Sequence, residues 1–241
     1  MIKKLLTMAC SLCFLSAAAQ TDSKTTTTTV DVIEVSPAKT PVNKFYMGNS
    51  LDGMIFSTSF LEQPGLSRKT TTLRFSMFLH LGFTYNYDFN QFSGIYTGLD
   101  LKNIGFIEKE GGMTMKRRVY ALGVPLGLRF GNMRSRKYVF FGGGADLALN
   151  YKEKYWGNGV KKQKFNEWFS DRTPLVMPYV FLGYCHRGLT LKAQYYPGSF
   201  LNQDFTEKVA GVVVSPYANY EKVNLLLFSV GFDMHFKTRQ R

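Results

Sequence analysis

Three features of the sequence predict an all-β fold: eight segments in which apolar residues recur at alternate positions, no apolar run long enough for a helix to cross a bilayer, and long and short connections in strict succession. The architecture they imply is an eight-stranded antiparallel up-and-down transmembrane β-barrel. Beyond the N-terminal region, the longest uncharged apolar stretches, Leu175 to Cys185 and Val119 to Leu128, run about ten or eleven residues. A spanning helix needs about 18 or more; one crossing by a tilted strand needs about 9–11.

The clearest strand begins at Thr72. Leu73, Phe75, Met77, Leu79, Leu81, Phe83, Tyr85 and Tyr87 alternate with Arg74, Ser76, His80, Gly82, Thr84, Asn86 and Asp88. A helix would scatter those apolar residues around its circumference, so period two is the ordered reading. The strands are placed near 44–60, 72–88, 92–108, 117–130, 137–152, 174–185, 189–197 and 220–236. The fourth puts Tyr120, Leu122, Val124, Leu126, Leu128 and Phe130 on one face and Val119, Ala121, Gly123, Pro125, Gly127 and Arg129 on the other. In the last, Leu226, Phe228, Val230, Phe232, Met234 and Phe236 oppose Ser229, Gly231, Asp233 and His235. The first and sixth alternate poorly. Connections 61–71, 109–116, 153–173 and 198–219 are long, whereas 89–91, 131–136 and 186–188 are short. That succession is the pattern of short periplasmic turns and longer external loops, with both termini in the periplasm.

Residues 1–19 combine Lys3 and Lys4, an apolar run from Leu5 and the small residues Ala17, Ala18 and Ala19, which predicts a secretory signal peptide cleaved after Ala19. Lipidation at Cys10 is the less favoured alternative, because Cys10 lies inside the apolar stretch. Cleavage removes Cys10 and Cys13 and leaves Cys185 alone, so neither an internal disulfide nor a Cys-rich zinc site is expected. Residues 20–43, with Thr25 to Thr29 and two prolines, read as a flexible periplasmic linker; 44–236 form the barrel and 237–241 a C-terminal tail. The formal charge of the chain is +13, and removing Lys3 and Lys4 leaves 28 basic residues against 17 acidic, +11. Export argues against nucleic acid as the counter-charge and for lipid phosphate.

Alternation alone leaves open whether the apolar face points into a soluble barrel's cavity or outward to lipid. The opposite face decides for lipid. It combines Gly98, Ala121, Gly123, Gly127, Gly142, Gly144 and Gly231 with Asp100, Lys102, Arg129, Asp146, Lys192 and Asp233, which suits a narrow polar lumen closed by ion pairs rather than an open channel. Aromatic girdles are expected from Tyr85, Tyr87, Phe130, Tyr184 and Phe236 on the turn side and Tyr151, Trp156, Tyr195 and Tyr220 on the loop side.

The last strand, Ser229-Val-Gly231-Phe-Asp-Met234-His-Phe236, resembles the polar-x-Gly-x-x-apolar-x-apolar signal read by the outer-membrane barrel assembly machinery; Ser229, Gly231, Met234 and Phe236 fill its defined positions. Barrels of this kind often end at that aromatic, whereas this chain continues with Lys237 to Arg241. Two further stretches, Tyr87-Asp-Phe-Asn-Gln-Phe-Ser-Gly94-Ile-Tyr-Thr-Gly98 and Tyr120-Ala-Leu-Gly-Val-Pro125-Leu-Gly127-Leu-Arg129-Phe-Gly131, complete the resemblance. With the organisation from Asn43 to Phe236, they look like the outer-membrane β-barrel families of the Bacteroidetes, which include PorT-like proteins. That resemblance implies architecture more than activity; an accessory role in an envelope secretion or assembly apparatus is the function it suggests.

Catalytic chemistry finds little purchase. His80 lies mid-strand on the polar face, His186 in a short turn and His235 near the periplasmic end; a lipid A modifying enzyme would want its base near the outer headgroups. His80 with Asp100 or Asp233 would make a buried acid–base pair, but a hydrogen-bonded lumen histidine is the preferred reading, and no catalytic residue is assigned. Asp171, Asp204 and Glu207 lack the spacing of a calcium loop, so neither metal nor cofactor is expected. Lys154, Lys161, Lys162 and Lys164 lie among Tyr155, Trp156, Phe165, Trp168 and Phe169 and offer a contact for lipopolysaccharide phosphates. Nonspecific balancing of headgroup charge is the preferred reading of those lysines. The sequence thus describes a non-enzymatic outer-membrane barrel whose external loops meet the surface environment or an envelope protein partner. A soluble ligand-binding barrel and a lipid A modifying enzyme are the lesser alternatives.

Overall fold

The computed structural model describes residues 45–235. The signal peptide, the linker, the tail and Phe236 of the assembly signal lie outside them. The strands are β1 (Phe45–Glu62), β2 (Lys69–Thr70), β3 (Arg74–Asp88), β4 (Ser93–Glu110), β5 (Met113–Asn132), β6 (Lys137–Gly157), β7 (Val160–Trp168), β8 (Val176–His186), β9 (Leu189–Tyr196), β10 (Glu207–Val209), β11 (Val212–Val214) and β12 (Lys222–His235). Eight of them, β1, β3, β4, β5, β6, β8, β9 and β12, pair in sequence as antiparallel neighbours, and β12 pairs back onto β1 from Gly48↔His235 to Glu62↔Lys222. The ring is closed. Closure leaves the ring of eight without an open edge for water to satisfy, which an open sheet in lipid cannot do.

The expected faces are those observed. On β5, Leu122, Val124, Leu126, Leu128 and Phe130 point outward and are exposed, while Ala121, Gly123, Pro125, Gly127 and Arg129 point inward and are buried. The two poorly alternating strands have separate explanations. In β1 a register shift at Gly53 reverses the parity: Tyr46 and Asp52 face inward below it, and Ile55, Ser57, Ser59 and Leu61 face inward above. Strand β8 alternates without a break, but its inward face carries Met177, Tyr179 and Phe181 and is therefore as apolar as the outward one. Strand β6 holds a second shift, opposite Tyr120 and Ala121, so that Asp146 and Ala148 face inward below it and Tyr151 above.

Two expected loops are hairpins. The segment 109–116 is not a long loop: β4 and β5 run on to a two-residue turn, Gly111-Gly112, with φ of 53° and 78°. Positive φ at both central positions is the I′ geometry that matches strand twist. Within 153–173, β6 continues to Gly157, turns through Asn158 and Gly159 at φ 47° and 74°, and returns as β7, which pairs with β6 from Asn150↔Trp168 upward. These hairpins extend the wall on the long-connection side. Among the described residues the connections at the opposite rim are the short turns between β3 and β4, β5 and β6, and β8 and β9.

The wall has one irregular seam. Among the described residues the β3–β4 ladder runs from Asp88↔Gly94 to Leu81↔Leu101 and resumes only in the bridge Thr72↔Ile107. Arg74 spans the interval, with Nη2 donating to Asn103 Oδ1 at 2.9 Å and Nη1 facing the carbonyls of Asn103 and Gly105 at 3.4 Å. Ser57 Oγ donates to the same Gly105 carbonyl at 2.6 Å. Side-chain donors thus satisfy carbonyls that the ladder leaves free, as buried backbone requires.

Candidate functional site

The lumen is built in layers, because residues paired across strands share a level. Near the turn side, Arg129 donates to Tyr46 Oη and Asp88 Oδ1, both at 2.7 Å. At mid-height, Asp52 Oδ2 meets Lys192 Nζ at 2.8 Å, Ser229 Oγ at 3.0 Å and His80 Nδ1 at 3.3 Å. His80 is thus engaged by Asp52, not by Asp100 or Asp233; Asp233 accepts from Tyr138 Oη at 2.5 Å. Beside that cluster, Lys102 Nζ donates to Asp146 Oδ1 at 2.9 Å, lies 3.7 Å from Asp100 and sits over the Tyr179 ring. Glycines make room for this filling, the Tyr96 ring lying directly on Gly127 where a Cβ would stand. A cavity of about 70 Å³ remains among Asp52, Asp100, Arg129, Tyr138, Tyr179 and Lys192.

The lumen is not polar throughout: an apolar layer interrupts it in the outer half, which amends the sequence expectation. Above the ion pairs, Ile55, Ile104, Val119, Ala121, Ala148, Leu225 and Leu227 form a buried apolar layer, and Phe200 and Leu201 from the β9–β12 connection close over it. Part of this layer is hidden in the sequence because the shift in β1 moves Ile55 inward partway along the strand, whereas Ile104, Val119, Ala121, Leu225 and Leu227 continue the inward parity of their strands. A second ionic layer lies above, where Arg117 meets Glu108 at 2.5 Å and Glu153 at 3.5 Å, and Tyr220 Oη donates to Glu108 at 2.9 Å. Tyr151 and Tyr220, expected in the outer girdle, are buried inside. Trp168, exposed and paired opposite Asn150, takes a place at that rim.

Above the second ionic layer opens a cleft of about 680 Å³, lined by Met113, Met115, Arg117, Glu153, Phe165 and Tyr217 among others. Glu207 is engaged there by Arg172, and the described residues hold no group of three or more acidic, His or Cys side chains placed to share a metal ion. Beyond it the small hairpin β10–β11 exposes Val209, Val212, Val213 and Val214.

The outward face of β5, β6 and β7, just above the apolar wall, carries the most concentrated charge. Cross-strand pairing sets Lys116, Lys154 and Lys164 in one row. Arg118, Lys152 and Asn166 form the row below it, and Tyr120, Asn150 and Trp168 the next. Lys162 stacks over Trp156 above, while Lys152 and Arg118 lie over the Tyr120 ring. Of the four lysines that the sequence offers as a lipopolysaccharide contact, Lys154, Lys162 and Lys164 share this face; Lys161 sits at the register shift, one residue out of the alternation. Lys116, Arg118 and Lys152 join them through the register, standing where the sequence alone places a loop or a strand end. Burial, then the charges of Arg74, Arg118, Lys154 and Lys162, holds the Lys116 ammonium below the usual lysine range. Lys154 is lowered likewise, by desolvation and then by Arg118, Lys162, Lys164 and Lys152.

No family model and no curated protein matches this chain. Solved structures do. Ail, the attachment invasion locus protein of Yersinia pestis, determined with the heparin analogue sucrose octasulfate, is similar at 13% identity over 78% of this chain and 99% of that one, with a TM-score of 0.34. Neisserial surface protein A is similar at 12% identity over 80% and 97%, TM-score 0.41. The outer membrane protein AlkL, solved in DMPC bilayers, is similar at 15% identity over 85% and 97%, TM-score 0.42. These likenesses are too distant to carry function, and the fold rests on the closed ladder itself.

Proposed function

We propose that the chain is a non-enzymatic outer-membrane barrel, sealed against passage, that presents the hairpins of its long side to the cell surface or to a partner. One observation carries this reading: the outward face forms an apolar belt. Phe83, Leu99, Leu126, Phe141, Leu182, Leu191 and Phe228 are exposed on seven strands of the ring and Met47 and Met54 on the eighth, while the charges at that height face inward. A soluble ligand-binding barrel would reverse the two faces. From Leu122 to Phe130 the belt covers about nine residues of β5, the span of one tilted crossing. Orientation follows from the rims: the short turns and the ends of β1 and β12 lie together, which suits the periplasmic side. Seal and inactivity are supported by the stacked lumen layers and by a His80 already engaged with Asp52.

Boiled and unboiled outer-membrane samples are expected to migrate differently on an SDS gel, because a closed sheet offers no edge to unzip. The same protein in a planar bilayer should give no conductance steps. Identical migration with release by salt would overturn the reading, and steady channels would overturn the seal.

The exposed valines of β10–β11 favour a second reading, the accessory role suggested by the PorT-like resemblance. An apolar hairpin held above a membrane suits contact with a protein more than with water. Envelope proteins should then copurify in mild detergent and be lost with Val212→Ser/Val213→Ser; a pull-down unchanged by that variant would sink it.

A further inference from the structure

The outward face of β5–β6–β7 has no role in sealing or anchoring the barrel. We infer that it is a docking surface for the phosphorylated sugar headgroup of an outer-leaflet lipid, an inference that rests on the outer-membrane reading above.

Five cations, Arg118 and Lys152 in one row and Lys116, Lys154 and Lys164 in the next, project from adjacent strands, with Lys162 beyond. Strands lie about 4.8 Å apart and same-face neighbours about 6.8 Å along a strand, so the five fit a patch of roughly 10 Å by 7 Å. That patch matches a sugar carrying phosphates and exceeds a single small anion. Like charges directly opposite across a ladder destabilise a sheet. Here three lysines share one row, and none of these six cations has a carboxylate within ion-pair distance among the described residues. Of the carboxylates of the same hairpins, Glu108 and Glu153 face inward to Arg117, Glu110 lines the cleft with them, and Glu167 accepts from Ser170 Oγ. An external anion is the missing counter-charge.

The surroundings select a lipid over a soluble polyanion. Directly below the cations stand the aromatics Tyr120 and Trp168, and below these the outward face becomes Leu122, Leu147 and Val176, paired across β5, β6 and β8. Apolar wall, aromatic rim and cations thus follow one another along a single face in the order of acyl chain, glycerol or sugar, and phosphate. Trp156, at the upper margin beside Lys162, adds a flat surface on which a sugar ring can stack.

The test uses the full chain folded into phosphatidylcholine nanodiscs doped with lipopolysaccharide, with retained lipid counted by native mass spectrometry. Wild type should retain lipopolysaccharide, and Lys116→Gln/Arg118→Gln/Lys152→Gln/Lys154→Gln should lose it roughly tenfold or more, since each basic residue near an anionic surface contributes separately. Lys161→Gln/Lys208→Gln, off the face, should retain it. None of these side chains is fully buried, and heat-dependent migration of each variant reports folding independently. Equal retention by wild type and the quadruple variant, or of lipopolysaccharide stripped of its phosphates, overturns the inference while leaving the barrel reading intact. So does stronger competition by a soluble sulfated polysaccharide, which would make that the ligand. Failure of the wild type to insert overturns both.

Discussion

Replacing Asp146 by alanine is expected to cost about 3–5 kcal/mol, the range for stripping one partner from a buried ion pair. Lys102 is fully buried, and Asp146 supplies its short contact at 2.9 Å. The other carboxylate in reach, on Asp100, is 3.7 Å away. Asp146 also accepts from Tyr196 Oη at 2.5 Å, and Gln194 Nε2 donates to that same hydroxyl at 2.6 Å, so the substitution unseats a chain of three groups. Equilibrium urea unfolding of the folded barrel, followed by its unboiled gel mobility, measures the loss.

The double substitution Lys102→Met/Asp146→Leu should recover most of that loss, because replacing both members of a buried pair with apolar groups is often neutral or better. A double variant as unstable as Asp146→Ala would mean that the lumen charges hold the barrel through a wider network than this pair. A single variant as stable as wild type would mean that Asp100 moves in to replace Asp146. The coupling energy of the cycle separates these outcomes.

What could be read in the sequence was set by contrast between the two faces. Strand β5 was legible because lipid demanded leucine and valine on one side while a narrow lumen demanded glycine, alanine and arginine on the other. Strand β8 was obscured by the opposite circumstance, an inner face filled with Tyr179 and Phe181 to pack the lumen. Strand β1 was obscured by one extra residue at Gly53, since a single-residue slip exchanges the faces. Above the membrane neither face needs to be apolar, so Glu153, Lys154 and Tyr155 carry no period and read as loop. The turn chemistry was still present there, as Gly111-Gly112 and Asn158-Gly159, and these pairs are the signal that would have found both hairpins. The basic face was half visible for the same reason. Once the strands were cut short, Lys116, Arg118 and Lys152 could not be aligned with Lys154 and Lys164. Only the register does that.

Substituting arginine for Leu126 is the second large expected effect, and it distinguishes a membrane barrel from a soluble one. Leu126 lies on the outward face midway between Tyr120 and Asn132, opposite Thr97 on β4 and Gly143 on β6, and is 58% exposed. In water a surface substitution at such a site changes stability by about 0.5 kcal/mol at most. At the midplane of a bilayer an outward arginine costs about 2–4 kcal/mol, because the charge must either be dehydrated or drag water and headgroups inward. Urea titration of the barrel refolded in phospholipid vesicles should therefore show the full loss for Leu126→Arg and almost none for Val213→Arg, whose side chain stands exposed on the β10–β11 hairpin. The depth dependence is the decisive part: an arginine at Phe130, near the turn-side rim, should cost less than one at Leu126, as it does only where lipid lies outside the wall.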